Sequence, residues 1–419
     1  MSVNHQTQNG NVYDIPSLVK NVNEMQELIE DAVDWALSNG LLLRTRDHFD
    51  KTGVSQIAPF TLFPTPFPRQ LFQQAVDVQK AMQMLYFRIT SDLDFLRKVH
   101  EDVIKTDPVV QSFMGIIEKV HEEGIRQPIT LFLQRAIEVN GCAVGGIGFN
   151  TRATELHRRV LKKAGIYTSI RDVPDNRVDQ MTAEALYEAW KQFGNSKAVL
   201  VFLVYKKDVL QFDRRIFEYE FERVSRDEVD VVRLSLEECS EKLKLDPVDF
   251  SLRLDDGRVV AVVFNQVLML GSSPTRMELD ARLMIERSTA IMAIKNPERF
   301  VLKPIGEGCG AHFNYFDDNI PKKLAELSAT ELTEFILMEK LEPKVYKNHL
   351  VRALHPTVFN TEVTAELGIY GSLIGDMTTG QILYNEQKGH GFKTKLATEN
   401  EGGICSGTGM VDTPYLVDN

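Results

Sequence analysis

The chain has 419 residues, 43% of them hydrophobic and 26% charged, with a formal net charge of −11. This length and composition predict a globular protein with two or three structural units, and the acidic balance disfavours nucleic acid as a partner because it repels a phosphate backbone. The first eleven residues are polar and no apolar run approaches the length of a membrane span, so we expect neither a secretory signal nor a membrane partner.

The amino-terminal part is predicted to be mostly helical. Apolar residues recur at helical spacing from Met25 to Leu37 and stop at Gly40, a residue suited to the left-handed position after a helix. Prolines between residues 59 and 68 then favour an extended stretch. Two further helices are predicted at 69–88 and 92–124.

The middle of the chain changes to strand-length apolar runs. Runs at 129–133 and 137–139 precede a charged helix at 151–164. An apolar run at 198–204, a helix at 212–225 and a strand at 229–234 follow. Strands buried on both faces lose polar alternation, so this pattern predicts a βαβ unit with a parallel sheet. Asp256-Gly257 indicates a hairpin across 253–264.

The last third is predicted to form an antiparallel sheet. A strand at 300–303 leads into a glycine-rich turn, and a helix follows at 322–331. Strands at 335–341, 363–373 and 381–384 are joined by short turns.

A glycine-rich loop is the first candidate functional feature. The strand at 300–303 delivers Lys303 into a loop containing Gly306, Gly308 and Gly310. Glycines let backbone N–H groups approach phosphate oxygens, and the lysine would supply a point charge. A flexible surface turn is the alternative. The segment does not match a P-loop, since no GK[ST] follows.

Oxygen donors suggest a cation site. Glu138 and Asn140 lie two apart on a predicted strand and so share one face, and Glu307 lies in the glycine loop. Such oxygens, together with nucleotide phosphates, are ligands that Mg²⁺ accepts. A solvated edge strand and a surface carboxylate are the alternatives.

A third candidate lies near the carboxy terminus. Lys393 and Lys395 alternate onto one face and precede the turn at Glu401. They indicate either an anion site or a solvated basic strand. The histidines His157, His312 and His390 have no ligand-like spacing and are interpreted as structural or exposed.

The cysteines predict neither covalent chemistry nor a metal centre. Cys142, Cys239, Cys309 and Cys405 are widely spaced and contain no CxxC pair, which argues against zinc and disulfides and favours a reducing, cytoplasmic compartment. No serine or cysteine nucleophile motif occurs.

Several blocks together resemble the eukaryotic glutathione synthetase family over nearly the whole chain. They are GLLLRT at 40–45, APFTLFP at 58–64, IEVN at 137–140, FVLKP at 300–304, ILMEKLEP at 336–343, AELGIYG at 365–371 and KTK at 393–395. The resemblance implies an ATP-grasp α/β (α+β) fold with an inserted parallel-sheet substrate-binding domain and a helical amino-terminal part. It also implies ATP- and Mg²⁺-dependent joining of γ-glutamylcysteine to glycine through an acyl phosphate, in a homodimer.

The resemblance also assigns site residues. It implies metal binding by Glu138, Asn140 and Glu307, and substrate binding by Lys393, where the family has an arginine, and by the backbone of Ile404 and Cys405. The nucleotide contacts that it implies are Glu138, Lys303, Glu307, Gly308, Cys309, Gly310, Ala311, His312, Met338, Glu339, Lys340, Leu341, Glu366, Lys395 and Glu401.

The departures from the family mostly affect residues that would bind the peptide substrate. Segments that the family carries after Arg135 and after Ser288 are missing, and with them a substrate-binding arginine and an ATP-binding lysine. Two family serines are replaced by Ala143 and Gly145, and an arginine by Gln266. Either the chain is a ligase, or it is a degenerate paralogue that binds nucleotide or partners without ligating. Skipped exons in a gene model are a third explanation of the gaps.

We predict three units in the chain. Residues 1–196 form the helical part with the first half of the ATP-grasp core, 197–290 the substrate-binding βαβ domain, and 291–419 the lid and nucleotide-binding sheet.

Overall fold

Helices occupy the amino-terminal half of the chain and flank the sheets. The computed structural model describes residues 14–51, 53–101, 104, 108–122, 130–134, 145–166, 169, 171–249, 251–266, 297–304, 314–327, 335–377 and 379–418. The helices are α1 (Val22–Ser38), α2 (Arg69–Ser91), α3 (Leu93–Val99), α4 (Pro108–Glu122), α5 (Ile147–Lys163), α6 (Val178–Phe193), α7 (Gln211–Ser225), α8 (Leu236–Lys242) and α9 (Asn319–Glu326). None of them is long and apolar enough to cross a bilayer.

The strands group into one large sheet, two three-stranded sheets and several short pairs. They are β1 (Leu42–Arg44), β2 (Ser55–Ile57), β3 (Phe60–Thr61), β4 (Thr65–Pro68), β5 (Thr130–Gln134), β6 (Val199–Leu203), β7 (Val231–Leu234), β8 (Leu243–Leu245), β9 (Leu252–Leu254), β10 (Val260–Asn265), β11 (Phe300–Pro304), β12 (Tyr315–Phe316), β13 (Phe335–Glu339), β14 (Val345–Val351), β15 (Val358–Gly375), β16 (Ile382–Leu396), β17 (Gly409–Asp412) and β18 (Pro414–Val417).

The first predicted helices are confirmed, with one correction. The Asn21 side chain caps α1 by accepting from the Asn23 N–H at 2.9 Å, and Gly40 adopts φ +77° just beyond its end. The single helix expected at 92–124 is wrong, because α3 ends at Val99 and α4 begins at Pro108. Proline lacks an N–H and is tolerated in the first helical turn but not in the interior.

The parallel sheet is confirmed. β6 pairs in parallel with both β7 and β10, and α7 connects β6 to β7. The hairpin expected across 253–264 is confirmed only at its tip: the turn forms, with Gly257 at φ +89°, and an antiparallel bridge joins Arg253 to Val259. Beyond the tip, β9 pairs with β8 and β10 joins β6. The turn chemistry is local, whereas the pairing partners are chosen by burial far along the chain.

The large sheet has the order β14-β3-β17-β16-β15-β5, and β14 also pairs with β15, so five of its strands form a ring. β15 and β16 are paired antiparallel along most of their length, as the sequence predicts. Helix α2 packs on β15, where a Cβ added at Gly371 or Gly375 would overlap the side chains of Gln83 and Phe87.

A small antiparallel sheet, β12-β11-β13, carries α9. This helix runs from Asn319 to Glu326 rather than over the predicted 322–331. It accommodates Pro321 in its first turn and ends where Leu327 becomes extended.

Candidate nucleotide site

The centre of the candidate site lies on neighbouring strands of the large sheet. In the antiparallel register Glu366 on β15 is directly opposite Lys393 on β16. The Lys393 Nζ lies 3.3 Å from the Glu366 Oε2, and both side chains are partly exposed. Opposite charges at directly paired positions stabilise a sheet. Sequence alternation places Lys393 and Lys395 on one face, and the structure agrees, since Thr394 between them is fully buried.

Lys395 is held in a cradle of carbonyl groups. Its Nζ donates to the Glu399 carbonyl at 2.7 Å and to the Asn400 carbonyl at 2.5 Å. Burial lowers the pKa of this ammonium, Lys393 lowers it further, and Glu366 and Glu401 act in the opposite sense. A partly desolvated ammonium next to open solvent attracts an anion more strongly than a fully hydrated one.

The turn after β16 packs tightly on this lysine. A Cβ on Gly402 would lie 3.0 Å from the Lys395 Cβ, so a larger residue there would require a local shift of the turn or of the lysine. The Ile404 carbonyl accepts from the Gly407 N–H at 3.2 Å, and Cys405 is partly buried in the same turn. The expected substrate-contacting pair therefore lies on the turn that also carries Glu401.

The small antiparallel sheet places the next group of residues. Lys303 on β11 is opposite Ile336 on β13, and Met338 and Glu339 continue that strand. Lys340 and Leu341 lie beyond its end, so the predicted adenine-contacting segment is half strand and half loop. The Lys340 Nζ lies 3.2 Å from the Asp317 Oδ1.

The predicted metal ligands Glu138, Asn140 and Glu307 lie outside the described residues. So do Gly308, Cys309, Gly310, Ala311 and His312 of the glycine loop. Among the residues that the structure describes, no cluster of three histidine, cysteine, aspartate or glutamate side chains is arranged to hold a metal ion. The carboxylate and amide oxygens of the proposed set suit Mg²⁺ chemically, and the assignment stays a prediction.

Helix α5, which follows the predicted metal-binding segment, is capped by a residue far along the chain. The Asp213 carboxylate on α7 accepts from the Gly146 N–H and the Phe149 N–H, both at 2.8 Å. The Tyr370 hydroxyl donates to the Gly145 carbonyl at 2.6 Å. The amino terminus of α5 is therefore already neutralised by a carboxylate and is not free to bind phosphate.

Sequence reasoning missed Asp213 and Asp317. Each acts on a partner more than twenty residues away, so no local spacing reveals it. Two surface cavities lie elsewhere: one of about 600 Å³ lies beside α2 and α3, and one of about 320 Å³ lies between α2 and β16. None of the candidate site residues that the structure describes lines either of them.

Comparison with known proteins identifies the family. The model for the ATP-binding domain of eukaryotic glutathione synthase matches residues 22–416. The glutathione synthetase of Xenopus laevis is 28% identical over 470 residues, covering 94% of this chain and 97% of that protein. The human glutathione synthetase is 27% identical over 478 residues, covering 96% and 99% respectively.

A solved structure is similar as well. It is that of a glutathione synthetase-like effector from Globodera pallida in its apo form, 34% identical, with a TM-score of 0.75 and coverage of 97% of this chain and 100% of that chain. The alignment with the human enzyme, 478 positions, is longer than the 419 residues present here, so that relative carries segments that this chain lacks. The chain belongs to the eukaryotic glutathione synthetase family of ATP-dependent ligases.

Proposed function

We propose that this chain binds Mg-ATP on the outer face of β15 and β16 and uses it to join γ-glutamylcysteine to glycine. The observation that carries the proposal is the half-buried Lys395 ammonium, held by two carbonyl groups beside the Glu366–Lys393 pair. Family membership supports it, because the same chemistry is that of glutathione synthetases.

In the reaction, a carboxylate oxygen of γ-glutamylcysteine attacks the γ-phosphorus of ATP, and ADP leaves. The glycine amine then attacks the carbonyl carbon of the acyl phosphate, inorganic phosphate leaves with the C–O bonding pair, and the amine loses a proton. Lys395 and Lys303 would hold the phosphate oxygens as point charges, and the backbone of 338–341 would face the adenine. Catalysis here is positioning and charge neutralisation.

We assign the Mg²⁺ to Glu138, Asn140 and Glu307. When bound, the ion would neutralise charge on the transferring phosphoryl group. Three oxygen donors together with ATP phosphates suit an ion that keeps few protein ligands.

The first test is thermal melting with and without Mg-ATP. A ligand that binds only the folded state at 100 times its Kd stabilises it by about 2.7 kcal/mol. We expect a clear upward shift in the wild type, a reduced shift in Lys395→Met, and an unchanged shift in Lys347→Met, an exposed lysine on β14 of the same sheet. No shift at millimolar Mg-ATP in the folded wild type would contradict nucleotide binding.

A second candidate is a paralogue that binds nucleotide without efficient ligation. Two observations favour it: the family alignment is longer than the chain, and a lysine replaces the family arginine at 393. Lysine cannot make the bidentate contact that arginine makes with a carboxylate. Its ammonium is also already paired with Glu366. A related protein is described as an effector, and we extend that role to this chain within the second candidate.

The two candidates differ in turnover. The assay is phosphate release from ATP that depends on both γ-glutamylcysteine and glycine, with the tripeptide identified by mass. Each lost charge-assisted contact costs about 1.5 to 3 kcal/mol, so we expect slow turnover or none. Turnover at ordinary enzyme rates favours the first candidate. Mg-ATP binding without product favours the second.

We further propose a homodimer in the cytoplasm. The matched blocks at 40–45 and 58–64 in the amino-terminal part support dimer formation, and widely spaced cysteines without a CxxC pair suit a reducing compartment. Light scattering coupled to size-exclusion chromatography tests the first statement: a monomer at micromolar concentration would contradict it.

A further inference from the structure

A fully buried polar cluster lies directly behind the site lysines. Its centre is Asp412, at the end of β17 and 1% exposed. The Asp412 Oδ2 accepts from the Thr394 hydroxyl and from the Thr65 hydroxyl, each at 2.6 Å. The Asp412 Oδ1 accepts from the Thr413 N–H at 2.6 Å and the Thr65 N–H at 3.3 Å. We call these four residues the Asp412 cluster.

Four donors around one carboxylate offset part of the cost of burying its charge. Charge-assisted hydrogen bonds of about 2.6 Å are short and strong compared with neutral ones. They also fix direction, because a threonine hydroxyl must be oriented to donate to its carboxylate oxygen. His157 completes the surroundings: its Nδ1 lies 3.8 Å from the Asp412 Oδ1, and its Nε2 lies 2.7 Å from the Thr61 carbonyl.

The bond from Thr394 acts on the segment of β16 that carries both lysines. Successive side chains on a strand point to opposite faces, so an inward Thr394 requires Lys393 and Lys395 to point outward. The backbone there is paired to β17 through Lys393 opposite Val411 and Lys395 opposite Gly409. Thr394 and Asp412 thus connect the same two strands by a side-chain bond as well as by the backbone ladder.

We propose that Asp412 and Thr394 are positioning residues, which hold the Lys393–Lys395 segment of β16 in the twist that presents the Lys395 ammonium to the nucleotide and the Lys393 ammonium to the peptide substrate. This inference rests on the proposed nucleotide site. Neither residue touches the ligand, since both side chains are buried in the core behind the sheet.

Thr65 provides a matched control. Thr394→Val and Thr65→Val each remove one 2.6 Å donor to the same Asp412 oxygen, each from a fully buried side chain, and valine preserves the shape of threonine. Thr65→Val also removes the acceptor of the Asn348 Nδ2 at 3.0 Å. The control therefore disturbs the core at least as much, but on β4, which carries none of the candidate site lysines.

The first measurement is Mg-ATP affinity by titration calorimetry at a temperature where both variants are folded. We expect comparable falls in Tm, but an increase in Kd on the order of tenfold for Thr394→Val, since small displacements of binding groups are costly. Thr65→Val should change the Kd by less than about twofold. Thr394→Ser keeps the hydroxyl and should bind as the wild type does. Equal effects of the two valine variants on Kd would overturn the proposal.

The second measurement does not require nucleotide binding. Brief labelling with an amine reagent, followed by mass spectrometry, reports how firmly the Lys395 ammonium is held between its two carbonyl acceptors. Labelling of Lys395 should be faster in Thr394→Val than in the wild type and unchanged in Thr65→Val. If the wild type fails to bind Mg-ATP, the proposed function fails, whereas this labelling still decides the positioning role. Unchanged labelling in Thr394→Val would refute that role. If Thr394→Val does not fold, Thr394→Ala removes the same donor without adding bulk.

Discussion

The cap that Asp213 places on α5 leads to a graded prediction. Asp213 is 2% exposed, and its two carboxylate oxygens each accept one backbone N–H of the first turn of the helix, both at 2.8 Å. Asp213→Asn keeps one acceptor oxygen and Asp213→Ala keeps neither. A buried donor left without an acceptor costs about 1 to 3 kcal/mol. Loss of the negative charge at a helix amino terminus adds about 0.3 to 1 kcal/mol.

An opposing effect reduces these costs. Burial raises the pKa of Asp213, so ionisation of this carboxyl in the folded protein is itself unfavourable, and removing the charge recovers part of that cost. We therefore expect losses near the lower ends of the ranges, about 1 kcal/mol for Asp213→Asn and about 2 kcal/mol for Asp213→Ala. Urea unfolding, with the slope checked for constancy, measures both. The exposed Asp255→Asn serves as a control with a smaller effect.

The order of the two losses is the sharper test. If alanine costs no more than asparagine, the two N–H groups find other acceptors and the capping argument is wrong.

Three further predictions concern packing, pH and the substrate contact. Gly148→Ala should lower Tm by several degrees, because its Cβ would lie 2.5 Å from the Asp213 carbonyl oxygen. Gly115→Ala in α4 is the control: its Cβ would meet nothing within 4 Å, so the change should stabilise the protein by up to about 1 kcal/mol. Burial lowers the pKa of His390 to about 3 from 6.5. As the pH falls from 6.5 towards 3, only the unfolded chain gains this proton, so the free energy of unfolding should drop by about 1.4 kcal/mol per pH unit. Urea midpoints measured at several pH values should therefore fall less steeply in His390→Gln than in the wild type. Lys393→Arg should tighten γ-glutamylcysteine binding about tenfold by restoring a bidentate donor, and calorimetry showing no gain would contradict that assignment.

Local patterns predicted the parallel sheet well because its strands are defined by burial alone. Val199–Leu203 is buried at every position, and an uninterrupted apolar run has few alternatives in a domain of this size. The sequence patterns did not predict helix α6, nor that β9 pairs with β8 and β10 pairs with β6. The Asp256-Gly257 turn is correct but says nothing about which strand lies across from each arm.

The site was predictable only along single strands. Alternation correctly placed Lys393 and Lys395 on one face. It did not reveal that Glu366 lies across from Lys393, nor that Asp412 holds Thr394 from behind. Those contacts depend on the register between strands, which a single sequence does not supply.

The departures from the family pattern are unevenly distributed along the chain, and strand register explains part of this distribution. Two of the predicted nucleotide contacts, Glu366 and Lys395, lie on β15 and β16, where removing one residue would shift the register and turn every following side chain to the wrong face. The gaps fall after Arg135 and after Ser288, outside the ladders that the structure describes. The buried hydrogen bond from Thr394 to Asp412 is therefore a sufficient structural reason for a threonine at this position. Lys395 also has a role in the local structure, because its ammonium donates to the Glu399 and Asn400 carbonyls of the following turn. The feature that supports the proposed anion site is a turn that fixes a partly buried ammonium beside a second lysine, Lys393.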